Sequence, residues 1–188
     1  IKMRVISGTL KGRSLNFLKN SYTRPLKDSV KESIFNILKH SNLINVRTED
    51  SNILDLYSGI GSFGIECISR GAEKVTFIEK DINASNILKE NLIRFSLINK
   101  SKIYTDRIEA VLNKGFNEKF NIFFLDPPFS DNNFLNNLEL IKKKKIFNKN
   151  HIVITHREVN CEDEFKSFLK IVEIKKYGRS KIIFGIFK

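Results

Sequence analysis

The stretch "DLYSGIGSFGIE", residues 55–66, sets Gly59, Gly61 and Gly64 in a GxGxxG spacing, after a strand-like apolar run and before a helix-like one. Glycines there let the backbone turn tightly and approach a ligand, while the free N–H groups at the helix start favour polar or anionic groups. Glu79 closes the next strand-like run, "KVTFIE", 20 residues after Gly59, where a carboxylate can accept both hydroxyls of a ribose. Loop and acid together point to an adenosine-containing cofactor, and the signature suits NAD and S-adenosylmethionine alike.

On either side of this loop, strand and helix patterns alternate. "NILDLY" reads as a strand, "SFGIECISR" as a helix, "KVTFIE" as a strand, and "INASNILKENLIRF" as a helix with Ala84, Ile87, Leu88, Leu92 and Phe95 on one stripe. "SKIYT", a short helix from about 107, "FNIFFL", a helix through about 132 to 144, and "HIVIT" continue the pattern. Such alternation predicts right-handed βαβ units, hence a parallel sheet with helices on both faces. The tail changes habit: "FLKIVEIKKYG" and "SKIIFGIFK" predict a closing antiparallel strand pair.

Upstream, "MRVIS" and "RSLNFL" predict a small hairpin around "GTLKG". After Pro25, residues Leu26, Val30, Ile34, Ile37 and Leu38 recur at helical spacing. Ser29 and Glu32 stand as a capping box, and Lys27 and Lys31 are expected to turn away from the packed face. Residues 40–52 read as a polar linker. The division expected is a basic extension, 1–40, packed on a main domain, 41–188.

The chain of 188 residues suits one domain with a sizeable core, and its 41% apolar and 29% charged residues match ordinary globular proteins. No apolar run approaches the roughly 20 residues of a membrane helix, and "IKMRVISG" lacks a signal peptide's apolar core, so a cytoplasmic protein is expected. Cys67 and Cys161 fit no metal-ligand spacing and read as packed thiols. Residues 1–40 carry nine Lys or Arg against Asp28 and Glu32, so +7 of the net +12 lies there. A stripe of that kind favours phosphate and points to nucleic acid, with solubility charge as the plain alternative.

"NIFFLDPPFSD", residues 121–131, ends a strand on Asp126 at the sheet edge where open α/β folds bind ligands. Pro127 and Pro128 have fixed φ angles and no N–H, so their carbonyls are held as acceptors. An exocyclic amine on a nucleobase needs such a pair, because its lone pair is delocalised into the ring. The Asp126 carboxylate and the Pro127 carbonyl could draw its two hydrogens and turn the lone pair outward, after which alignment supplies most of the rate. Phe129 would stack on the base. Asp55 and Asp106, at the ends of the first and third strands, lie outside the dinucleotide fingerprint. Asp106 could accept from an adenine amine or simply cap a helix. The three histidines read as surface or packing residues, since a methylated amine sheds its proton readily.

With these motifs in order, the chain resembles the S-adenosylmethionine-dependent methyltransferases of exocyclic amines, whose (D/N/S)PP(Y/F/W) signature is matched by Asp126 to Phe129. More narrowly, "MRVISGTLKGRSL", "TRPLKDSVKESIFNIL", "DLYSGIGSFGIECISRGAEKVTFIEKD" and "FLDPPF" resemble the RsmD family, bacterial 16S ribosomal RNA (guanine-N2)-methyltransferases. The resemblance implies a Rossmann-like class I fold with seven mostly parallel strands and a guanine N2 of small-subunit RNA as the methyl acceptor. It implies S-adenosylmethionine held by Asp55, Ser58, Gly59, Gly61, Glu79 and Asp106, and the base held by Asp126, Pro127, Pro128 and Phe129. Thr23, Arg24 and Pro25 match a family segment near the active site, with Leu26 where a threonine is usual. Lys11, Arg13 and Arg24 are the expected RNA contacts, the partner being 16S RNA within a small-subunit assembly and the protein a monomer.

Three other readings compete. A DNA adenine-N6 methyltransferase shares the Asp-Pro-Pro-Phe chemistry, an NAD-dependent dehydrogenase shares the glycine loop, and a non-catalytic RNA-binding module could keep the fold.

Overall fold

The glycine loop lies between a strand and a helix, and the computed structural model describes them with residues 3–19, 25–165 and 167–188. In chain order these form α1 (Asp28–His40), β1 (Asn52–Asp55), α2 (Ser62–Ser69), β2 (Lys74–Ile78), α3 (Ile82–Arg94), β3 (Ser101–Tyr104), α4 (Ile108–Lys114), β4 (Phe120–Leu125), α5 (Phe134–Lys144), β5 (Phe147–Glu158), β6 (Leu169–Tyr177) and β7 (Ser180–Phe187). One seven-stranded sheet runs β3-β2-β1-β4-β5-β7-β6. The first five strands in this order are parallel, and β7 is antiparallel to both its neighbours. Order reverses between β1 and β4, the switch point at which the loops after two adjacent strands part and leave a crevice.

β4 shows why the sheet is buried on both faces. Ile122 and Phe124 join one core with Phe35, Phe63, Phe77, Leu88 and Leu92, whereas Phe123 and Leu125 join the other with Leu112, Leu138 and Ile141. Alternate residues of a strand point to opposite faces, so an unbroken apolar run is what a helix-covered strand requires. Phe63 of α2 stacks on Phe124 with ring centroids 3.8 Å apart, pressing the helix after the glycine loop onto β4.

The expected hairpin forms as a short one, with an antiparallel bridge between Arg4 and Ser14 and the N–H groups of Val5, Gly12 and Leu15 donating to the carbonyls of Arg13, Val5 and Met3, each at 2.9 Å. Other donors of the arm go to the main body. The N–H groups of Ile6 and Ser7 donate to the Glu66 carboxylate at 2.7 and 3.0 Å, that of Thr9 to the Ser69 carbonyl at 2.8 Å, and that of Asn16 to Asn91 Oδ1 at 2.8 Å. The basic arm is thus bonded to itself as a short hairpin and sewn to α2 and α3 as well.

Two expectations for α1 are corrected. The helix begins at Asp28 with Lys27 at the N-cap and no side-chain cap, so Ser29 lies inside it and the Ser29–Glu32 capping box does not form. Asp28 pairs with Arg4 at 3.2 Å instead. Lys31, expected to turn away, is 1% exposed. Its ammonium donates to the Arg4 carbonyl and to Ser62 Oγ, both at 3.1 Å, and faces Glu66 at 3.5 Å. Burial lowers its pKa, and the charge of Glu66 opposes that shift. The linker is likewise not merely polar, since Ile44 and Val46 join the core.

Candidate active site at the ends of β1 and β4

Gly61 is the N-cap of α2 with φ 93°, and Gly59 has φ 54°, the left-handed region that side chains avoid. Gly64 serves packing: a Cβ there would stand 2.2 Å from the Phe77 ring. Between them Ser58 braces the loop. Its hydroxyl donates to the Asp55 carbonyl at 2.7 Å and accepts from the Ile78 N–H at 3.1 Å, and its own N–H donates to the Ile78 carbonyl at 3.1 Å. Its polar atoms being engaged, Ser58 shapes the loop by joining the ends of β1 and β2.

Glu79 follows β2 and reaches across to the loop. One carboxylate oxygen accepts from the Gly59 N–H at 2.7 Å and the other from the Asp81 N–H at 2.8 Å, which holds the acid at the crevice. Asp55 is 1% exposed, and neither carboxyl oxygen makes a hydrogen bond of ordinary geometry among the described residues. Burial pushes its pKa well above the usual carboxylate range, and the charge of Asp126 adds to the rise, while the Gly64 N–H eases it. A buried, unpaired acid is costly to folding, and such groups gather at binding sites.

On the β4 side, Asp55 lies in register with Phe124, which brings Asp126 next to the β1 loop. Asp126 Oδ1 is 2.8 Å from Nδ1 of His156, and the ring of His156 meets that of Phe129 at 5.9 Å, 62° from parallel. Arg157 donates to the carbonyls of Pro128 and Phe129, each at 3.3 Å, and is held by Asp163 at 2.9 and 3.2 Å. Pro128 also accepts from the Asp131 N–H at 2.9 Å, whereas the Pro127 carbonyl accepts nothing among the described residues. Beyond the segment, Asp131 receives the Tyr57 hydroxyl at 3.4 Å, tying it to the residue that follows Leu56 after β1.

The remaining predicted residues are more scattered. Asp106 is half-buried, and its carboxylate accepts from the Arg107 N–H at 2.8 Å. Arg107, not Asp106, is the N-cap of α4, so the capping reading is set aside. Lys11 and Arg13 are exposed on the arm, with the Arg13 guanidinium 4.8 Å from the centre of the Phe95 ring. Thr23 and Arg24 lie outside the described residues. Sequence reasoning gave His156 no role in the site and missed Arg157 and Asp163; the strand read as "HIVIT" runs on through all of Phe147–Glu158 and includes His156 and Arg157. The available signal was "THRE", polar residues ending the buried strand that follows Asp-Pro-Pro-Phe in sheet order.

A glycine loop at the first strand and the Asp-Pro-Pro-Phe segment at the fourth, on either side of the switch point of a seven-stranded sheet, define a class I methyltransferase fold. The chain belongs to the RsmD family of ribosomal RNA methyltransferases: the family model described as "Conserved hypothetical protein 95" matches residues 3–186. It is similar to YlbH of Bacillus subtilis, described as a candidate rRNA methyltransferase, with 34% identity over 162 residues covering 85% of each chain. It is also 32% identical over 157 residues to the Ribosomal RNA small subunit methyltransferase D of Buchnera aphidicola, covering 84% of this chain and 78% of that one. Among solved structures, yhhF of Escherichia coli, described as a candidate methyltransferase, superposes with a TM-score of 0.84 at 24% identity, covering 100% and 98% of the two chains.

Proposed function

We propose that the protein transfers a methyl group from S-adenosylmethionine to the exocyclic N2 amine of one guanine in 16S ribosomal RNA. The observation that carries this reading is the Asp126-Pro127-Pro128-Phe129 segment leaving β4 beside the buried, unpaired carboxyl of Asp55. The curated relatives named as small-subunit RNA methyltransferases and the +7 charge of residues 1–40 support RNA as the substrate. We further propose that residues 1–40 form a basic arm on the methyltransferase domain, 41–188. The protein would act in the cytoplasm as a monomer on RNA within a small-subunit assembly.

The crevice suits the cofactor. Asp55 has no cationic partner among the described residues and would take an ammonium, Glu79 would take ribose hydroxyls, Gly59 and Gly61 let the backbone come close, and Asp106 would meet the adenine amine. Bound there, S-adenosylmethionine supplies an electrophilic methyl on a sulfonium. The chain's own residues prepare the acceptor. Phe129 stacks on the extruded base. The Asp126 carboxylate and the Pro127 carbonyl accept the two amine hydrogens and turn the lone pair outward. Arg157 keeps the carbonyls of Pro128 and Phe129 from competing for the base. The proton shed after transfer passes to Asp126 or to water.

Incubating the protein with S-adenosylmethionine and either 16S RNA, small-subunit particles or duplex DNA, then identifying the methylated nucleoside, tests the proposal. N2-methylguanosine from the RNA substrates is expected. Methyladenine from DNA as the only product would overturn it, and calorimetry showing tight NAD binding without S-adenosylmethionine binding would point to a dehydrogenase.

A further inference from the structure

We propose that His156 is a positioning residue that sets the Asp126 carboxylate for the reaction, an inference that rests on the function proposed above. Its Nδ1 stands 2.8 Å from Asp126 Oδ1. An ionised carboxylate only accepts, so the proton of that bond sits on Nδ1. The imidazole side chain is 6% exposed and its Nε2 has no hydrogen-bond partner among the described residues, so the ring is committed to Asp126 on one edge and to packing on the other.

Asp126 needs such a partner. Its side chain is 20% exposed and lies close enough to Asp55 for their charges to interact, as the raised pKa of Asp55 records. Two carboxylates at one crevice repel, and an untethered Asp126 would swing toward solvent. A donor on Oδ1 holds it in place and leaves Oδ2 to accept from the amine. Placement matters more here than charge, since a misplacement of about 1 Å at a reacting group can cost on the order of a hundredfold in rate.

Arg157, the next residue, holds the backbone of the same segment through the Pro128 and Phe129 carbonyls. Successive residues of a strand project to opposite faces, so the end of β5 reaches this segment from two sides. His156 governs the side chain of Asp126 and Arg157 governs the main chain behind it. Contact between the His156 and Phe129 rings adds a brace to the stacking platform.

The test compares wild type with His156→Ala, His156→Phe and His156→Asn in single-turnover methylation of 16S RNA. Melting temperature, calorimetric affinity for S-adenosylmethionine and KM for RNA are measured alongside. His156→Phe keeps a ring but has no donor, whereas His156→Asn places an amide N–H close to where Nδ1–H was. We expect His156→Ala and His156→Phe to lose about a hundredfold in rate, with cofactor affinity and KM within about threefold of wild type. His156→Asn should recover to within about tenfold of wild type. In protein labelled with nitrogen-15 at histidine, the Nδ1 proton of His156 should lose its hydrogen-bonded shift in Asp126→Ala.

An unchanged rate in His156→Phe, or His156→Asn no faster than His156→Phe, would overturn the proposal and leave His156 as packing. If His156→Ala does not fold, the Phe and Asn pair decides alone. No transfer to RNA by wild type would instead sink the functional reading, a separate and visible failure.

Discussion

Arg157 and Asp163 form a doubly bonded ion pair, Nε to Oδ2 at 2.9 Å and Nη2 to Oδ1 at 3.2 Å, with side chains only 1% and 6% exposed. The guanidinium lies 4.4 Å from the centre of the Phe134 ring and also donates to the carbonyls of Pro128 and Phe129. One buried cation thus joins β5, the loop before β6 and the segment that would hold the base.

Removing one partner of a buried pair strands the other. Asp163→Ala is expected to destabilise the protein by about 3–5 kcal/mol, read from urea unfolding at constant m-value. Arg157→Lys keeps the charge but not the planar fork, and should slow methyl transfer more than it lowers stability. Equal stability in Asp163→Ala and wild type would show that the guanidinium finds other partners.

At Asp126, substitution by Ala removes the proposed acceptor of the amine hydrogens but leaves the glycine loop and Glu79 in place. Turnover should fall by at least about a hundredfold, while calorimetric affinity for S-adenosylmethionine changes little. Unchanged turnover would remove Asp126 from the chemistry.

His151 predicts a pH effect on stability. Its Nε2 accepts from the Phe187 N–H at 2.9 Å and its Nδ1 donates to the Asn148 carbonyl at 2.8 Å, an arrangement that only the neutral ring can make. Burial lowers its pKa below the ordinary 6.5, so the unfolded chain takes up the proton first as pH falls. The contribution is complete above pH 6.5 and is lost as pH drops toward the lower folded value. Urea midpoints of wild type and His151→Asn at several pH values check this: the gap between them should narrow on acidification, and a constant gap would contradict it.

For the arm, replacing the exposed Lys11 and Arg13 with Ala should weaken RNA binding and flatten its salt dependence by about one unit of slope per lost phosphate contact. Filter binding across a range of salt gives the slope. An unaltered slope would make these residues solvent decoration.

Much of the site was legible because its signals are local. The proposed acceptor segment is a run of apolar residues followed by Asp126, two prolines and a ring, and the glycine loop declares its turn through residue type alone. Strand positions followed from the same logic, as the agreement of β2, β3 and β4 with their apolar runs shows. His156 escaped because its partner is 30 residues away in sequence, so that only the pairing of β4 with β5 brings the two together. Lys31 escaped for a similar reason. A helix pattern marks which face is apolar, but not that the backbone carbonyl of Arg4 and the carboxylate of Glu66 would meet a lysine beside that face.

By itself the sequence determined the βαβ alternation, the glycine turn and the stiff Asp-Pro-Pro-Phe end of β4, because periodicity, φ preference and missing N–H groups act within a few residues. Only the tertiary structure decided that β7 enters the sheet between β5 and β6, that Ile6, Ser7 and Asn16 of the arm donate to side chains of α2 and α3, and that His156 and Arg157 hold Asp126 and its neighbours. Those choices depend on which distant polar groups burial leaves in need of a partner, and that need arises only when the sheet has assembled.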